Sequence, residues 1–154
     1  MDIGSKHGYP ASALSNFAPH PFVFDGVPVA SMEGLLQSFK FDKVHMQVEV
    51  CKLVGFAAKA RGRHKNWQRT QTLHWAGKTY PRDSHGYQGL LTWAYHELFW
   101  QNQGFRDALR ATGNAVLTHS MGRTNPSETI LTQQEFCSRL TILRHALKPI
   151  ENKS

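Results

Sequence analysis

No apolar run in this 154-residue chain approaches the ~20 residues that a bilayer-spanning helix needs, and no charged lead precedes an apolar stretch at its start. The expectation is a soluble, unsecreted, cytoplasmic protein with no membrane partner. Cysteine is scarce: Cys51 and Cys137 are far apart and form no CxxC, which excludes a disulfide scaffold and a zinc knuckle. The nine histidines offer no HxxxH pair and no Cys/His ligand run, so neither a metal nor a cofactor is expected. Repeats and low-complexity tracts are missing, which leaves one domain over 1–154 with loose ends at 1–13 and 148–154. Acidic residues are the other shortage, 11 against 18 Lys and Arg, for a net charge of +7. That balance suits a polyanionic partner, a nucleic acid or a pyrophosphate, although no helix-turn-helix, RNP or OB signal accompanies it. The excess is concentrated in 40–69, where eight Lys or Arg face only Asp42 and Glu49.

What is present is most informative between Leu14 and Phe41. Pro19 and Pro21 keep the chain extended, and Phe22-Val23-Phe24 and Val27-Pro28-Val29 flank Asp25-Gly26, a two-residue pair that favours a type I′ hairpin. Ser31 can cap a helix running to about Asp42. On that helix Glu33, Gln37 and Lys40 fall at i, i+4 and i+7, beside a stripe of Met32, Leu35, Leu36 and Phe39. A carboxylate, an amide and an amine beside a buried stripe can form the floor of a cleft. Partial burial there shifts pKa values toward acid–base work. Placing Glu33 in the first turn sets it near the positive end of the helix dipole, which favours its ionised form.

Further along, periodicity predicts packing helices over about 45–54 and 56–62 and a helix over Asn66–Leu73 anchored by Trp67. A loop through Gly77, Pro81 and Gly86 follows, holding Trp75, Lys78, Tyr80 and Arg82, a possible lid over a nucleotide. Ser84–Trp100 reads as the central helix, and Gln103–Ala111 as a helix closed by Gly113. An extended segment from Ala115 delivers His119 to the end of an element, where side chains often meet ligands. Thr132-Gln133-Gln134-Glu135 is a capping box opening a last core helix through Phe136, Leu140, Leu143 and Leu147.

Leu14-Ser15-Asn16-Phe17, Phe22, Asp25-Gly26, Met32-Glu33, Gln37 and Lys40-Phe41 resemble, in order and spacing, the opening signature of the NADAR (YbiA-like) family. Ala58-Lys59, Gly62-Arg63, Asn66-Trp67, Gln101-Asn102 before Phe105, and LRATGNAVL at 109–117 extend the resemblance over roughly 13–146. It implies a mainly α, single compact helical domain with a short β-hairpin near the N-terminus. It also implies an N-glycosidase acting on ADP-ribose-like compounds, since some members hydrolyse a riboflavin-pathway ribosylamino intermediate and others remove ADP-ribose from guanine in nucleic acid. The family's activity depends on the glutamate that corresponds to Glu33. The chain departs from the pattern at Gly34, where many members have histidine, and at 118–136, which lacks the family's Asp and Trp-Gly. His119, Thr124, Asn125 and Glu128 are the side chains available in their place. Trp75–Lys78, WAGK, matches a second branch of the family.

The resemblance and the chemistry together define the expected site. Cleaving a ribosyl C–N bond develops positive charge at the anomeric carbon, which Glu33 can stabilise, direct water to, or attack. Lys40 or Lys59 can instead trap an opened ribose as an imine if a drier pocket neutralises the amine. Glu33 and Lys40 are thus the catalytic candidates. Ser15, Asn16, Lys59 and Arg63 are expected on the diphosphate, Gln37 on the ribose hydroxyls, and Phe17, Trp75 and His119 around the base or sugar. The expected ligand is ADP-ribose or a related ribosyl nucleotide, carried on nucleic acid in the favoured case. A catalytically silent binder of NAD or ADP-ribose is the reading from another class.

Overall fold

Asp25 and Gly26 both take left-handed backbone angles, φ 50° and 78°, and this turn sets the first piece of structure. It joins β1 (Phe22–Phe24) to β2 (Val27–Val29) in register Phe22↔Val29, with Phe22 and Phe24 buried and Val23 exposed between them. The computed structural model describes residues 1–147, so the fraying expected at 148–154 lies outside the described residues.

Helix α1 (Ala11–Leu14) precedes the hairpin, and α2 (Met32–Ser38) follows it. The hydroxyl of Ser31 caps α2 by accepting from the Gly34 N–H at 3.1 Å. α2 stops four residues short of the expected Asp42. The N–H groups of Phe39, Lys40 and Phe41 bond three residues back rather than four, tightening the chain into a terminal turn. α3 (Val44–Cys51) and α4 (Gly55–Arg63) then pack on α2.

The helix expected over Asn66–Leu73 is not there. Only a single 3-10 turn, Trp67–Arg69, forms before Gln71 takes φ 53° and the chain enters β3 (Thr72–Trp75). β3 pairs antiparallel with β4 (Lys78–Pro81) through Ala76-Gly77, both left-handed, so the expected lid loop is a second hairpin. Leu73 and Trp75 alternate inward, the strand period that a helical reading of this stretch overlooks. The Ala76-Gly77 pair was a weaker turn signal than Asp25-Gly26 because alanine seldom adopts a positive φ.

α5 (His85–Gln101) is the central helix, burying Tyr87, Leu90, Leu91, Ala94, Tyr95, Leu98 and Phe99. At roughly 1.5–3 kcal/mol for each large apolar side chain taken out of water, this helix is the main contributor to the core. Asn102 ends α5 and caps α6 (Gln103–Ala111). α7 (Gln133–His145) opens with the expected reciprocal Thr132–Glu135 capping box. The same Glu135 receives both terminal nitrogens of Arg82, at 2.6 and 3.0 Å, and Arg82 is 2% exposed. Arg82 also donates to the Thr129 carbonyl, so it is a clamp between β4 and α7 rather than part of a lid.

The stretch expected to be a loose lead-in is tied down at its start. Ile3 is fully buried, its N–H bonds the Thr118 carbonyl at 2.8 Å, and the Thr118 N–H bonds the Met1 carbonyl at 2.9 Å. With seven α-helices covering roughly half of the chain and two small antiparallel sheets among the described residues, the fold is mixed rather than mainly α. None of the described helices is long and apolar enough to cross a membrane.

Candidate active site

Three segments distant in sequence meet at the start of α2. The polar turn after α1 is fastened to it by the Glu33 N–H, which donates to the Asn16 carbonyl at 3.0 Å. The Asn16 side chain is held in turn by the Tyr95 hydroxyl, which donates to its Oδ1 at 2.7 Å. Ser15 turns its hydroxyl inward to accept from the Phe17 N–H at 3.2 Å. Glu33 therefore projects from a first turn that is capped by Ser31 and braced by the polar turn and α5.

The Glu33 carboxylate keeps part of its surface open but lies deep in its surroundings. Burial pushes its pKa above the ordinary carboxylate range, against the opposing pull of the Gln37 hydrogen bond and the positive charges of Lys59, Lys40 and His119. The ionisation expected from the helix dipole is thus outweighed by desolvation, as befits a helix of only two turns. Lys40, on the tightened turn after α2, has its pKa lowered by burial, with Glu33 opposing and Lys59 reinforcing the shift. Neither lysine is in an ion pair among the described residues, so each acts on Glu33 from beyond ion-pair distance.

His119 arrives from the far end of the chain. Its Nδ1 lies 2.8 Å from the Ile3 carbonyl, which can only accept, so Nδ1 carries the hydrogen and Nε2 the lone pair when the ring is neutral. Its ring stands edge-on to Phe136 at 5.2 Å. Of His119, Thr124, Asn125 and Glu128, His119 is the one whose charge acts on Glu33. Asn125 is engaged by Ser127, Glu128 faces Arg123 at 3.8 Å in solvent, and Thr124 lines a separate cleft. That cleft, about 350 Å³ between α5, α7 and the 124–132 loop, is bordered by Gln88, Gln134, Ser138 and Arg139 and contains none of the expected site residues.

Other expected residues divide clearly. Lys59 and Arg63 are exposed on α4, where Phe56, Lys59 and Arg63 share the outward face and Phe56 is 68% exposed. Phe17 packs edge-on against Phe56 at 5.1 Å, half-buried, which leaves it at the rim of the site. Trp75 does not belong to the site. It is buried between Phe24 and Phe39, and its indole N–H donates to Asp25 Oδ2 at 3.0 Å, tying the two hairpins together. Gln37 does not present its amide to a ribose either. It is 6% exposed, its Nε2 donates to Glu33 Oε1 at 3.0 Å, and its Oε1 is sealed from solvent.

Sequence reasoning missed the roles of Tyr95 and Gly62, while a glycine inside the helix at position 34 did signal a close backbone approach. A tyrosine inside an otherwise apolar helix needs a partner for its hydroxyl, and that requirement was the available signal for Tyr95. A Cβ at Gly34 would come within 2.6 Å of the Leu53 carbonyl oxygen and 3.1 Å of that of Val50, so α2 packs backbone to backbone on the end of α3. This close approach leaves no room for a side chain at position 34.

An acid with a raised pKa thus stands at a capped helix start in the field of Lys59, Lys40 and His119. The chain belongs to the bacteriophage protein GP30.3 family, whose model matches residues 8–145. It is similar to the "Uncharacterized 17.1 kDa protein in Gp30-rIII intergenic region" of enterobacteria phage T4, at 42% identity over 149 residues, covering 96% of this chain and 98% of that protein. Its fold is that of the E. coli protein YbiA, whose NMR structure matches all of this chain and 90% of its own with a TM-score of 0.63 at 18% identity.

Proposed function

We propose that the protein is an N-glycosidase that hydrolyses the ribosyl–base bond of an ADP-ribosylated substrate, with ADP-ribosylated guanine in nucleic acid as the favoured target and ADP-ribose as product. The observation that supports this reading best is the setting of Glu33: an acid in a drying environment, in the field of Lys40, Lys59 and His119. A carboxylate there stabilises the oxocarbenium-like transition state or directs water to the anomeric carbon. Lys40, its pKa lowered by burial, is the second catalytic candidate, placed to trap an opened ribose as an imine. The YbiA-like fold and the signature residues favour the same class of chemistry.

Phe56 and the exposed cations of α4 favour a nucleic-acid carrier over a small metabolite. An exposed aromatic beside exposed Lys and Arg suits a strand with a base to stack and phosphates to neutralise. The test is incubation with an ADP-ribosylated oligonucleotide and measurement of free ADP-ribose. Release by the wild type and its loss in Glu33→Gln are expected. Unchanged turnover in Glu33→Gln would remove the acid from the reaction. ADP-ribose binding without any release would make the protein a silent binder, and preference for a mononucleotide would point to the riboflavin-type substrate.

A further inference from the structure

We infer that Gln37 is a positioning residue whose amide, seated against Gly62, aims the Glu33 carboxylate into the site. A Glu and a Gln four residues apart on a helix ordinarily meet in solvent, where their bond is weak and easily exchanged for water. Here the pair is built at a cost. Gln37 is 6% exposed, and its Oε1 is buried with no hydrogen-bond partner among the described residues, which the fold tolerates only where something else is gained. The space for that oxygen comes from a glycine next to the last residue of α4, a residue type of poor helix propensity. A Cβ at position 62 would fall 1.7 Å from Oε1 and 2.7 Å from Cδ.

Both costs serve one contact. With its oxygen lodged over Gly62, the amide can turn only its Nε2 to Glu33, and it donates to Oε1 at 3.0 Å. A donor from Gln37 favours the ionised carboxylate and opposes the desolvation that favours the acid. It also restrains the carboxyl rotor, leaving Oε2 as the oxygen available to a ligand. The other titratable groups acting on Glu33 come from three further places: Lys40 beyond α2, Lys59 on α4 and His119 on the last extended segment, with Tyr95 of α5 coupled to it as well. None of the hydrogen bonds found among the described residues joins one of these four side chains to the Glu33 carboxylate, so the orienting role falls to Gln37.

This inference rests on the proposed function only for the identity of the reacting acid, and its test does not require turnover. Side-chain carboxyl NMR of the wild type, with Glu33 assigned from the spectrum of Glu33→Gln, gives the titration midpoint directly. Gln37→Met keeps the length and apolar contacts of the side chain but removes the donor. The midpoint is expected to rise by about one pH unit. Gly62→Ala, which evicts the amide, should move it in the same direction, and the double variant should add little more because both changes remove one contact. In the wild type, the Gln37 side-chain N–H resonances should shift with the Glu33 midpoint, a readout that survives even if a variant fails to fold. A Glu33 midpoint unmoved in folded Gln37→Met, or Gln37 N–H resonances flat through that midpoint, would overturn the assignment. If glycosidase activity is absent but the titrations couple, the proposed function fails and the positioning stands. If activity is present, the acidic limb of its pH profile should follow the same midpoint in Gln37→Met.

Discussion

Glu33 shows how a single side chain can be poorly placed for stability and well placed for chemistry. Its raised pKa means that the folded state holds the proton more tightly than the unfolded chain does. The stabilising effect of that proton is complete below the unfolded carboxylate value, near about 4.3, and is lost as the pH rises through the higher folded value. Glu33→Gln, neutral at every pH, lacks this limb. At neutral pH it is expected to melt at or above the wild-type temperature, a gain of roughly 0.5–2 kcal/mol, as when a strained functional group is removed. Thermal melts of both proteins from acid to neutral pH check this, and a large loss of stability in the variant at neutral pH would show that the carboxylate is a structural ion pair instead. Lys40 lies past the end of α2 on the tightened turn, whereas the pairing of Glu33 with Gln37 was legible in the sequence because helix periodicity alone aligns it. The burial of the Gln37 oxygen was not, because it depends on a glycine 25 residues further along on another helix.

At the scale of elements, the packing of α2 on the end of α3 decides what position 34 can hold. With the Leu53 carbonyl 2.6 Å from where a Cβ would stand, even alanine forces the two segments apart. Gly34→Ala is expected to cost about 1–3 kcal/mol, the usual penalty of overpacking, and Gly34→His more. Chemical denaturation measures the loss, and a Gly34→Ala protein as stable as wild type would show that α2 has room to move. Elements with strong local signals were legible: the Asp25-Gly26 hairpin, the Ser31 cap, the Gln103–Ala111 helix and the Thr132–Glu135 box all lie where their residues place them. The misread element was Asn66–Leu73, where a buried Trp67 imitates a helix anchor. Leu73 and Trp75 in fact alternate along a strand whose His74 N–H bonds the Phe39 carbonyl at 2.7 Å. A backbone partner 35 residues away leaves no trace in local periodicity.

For the molecule as a whole, the net charge of +7 and the exposed cations of α4 make salt the discriminating variable. If the substrate is carried on a nucleic acid, its KM should rise steeply between about 50 and about 200 mM salt, since neutralising several phosphates releases counterions. A free ADP-ribosyl nucleotide should respond far less. Steady-state kinetics with both substrates separates the cases, and equal salt responses would take α4 out of substrate binding. The site itself is a product of the whole molecule, since the start of α2 is braced by Asn16 and Tyr95, and Glu33 lies in the field of a histidine whose ring is held by the carbonyl of Ile3.

By itself the sequence determined the near-range features: the caps, the first turn, the helix stripe that bears Glu33 and the surplus of positive charge. Each depends on residues within a turn or two of one another, where backbone geometry leaves few choices. Only the tertiary structure decided which oxygens and amines face Glu33, why positions 34 and 62 are glycine, and that Trp75 and Arg82 belong to the packing instead of a lid. Those outcomes depend on desolvation and on close approach between segments far apart in the chain, quantities that take a value only once the elements have packed together.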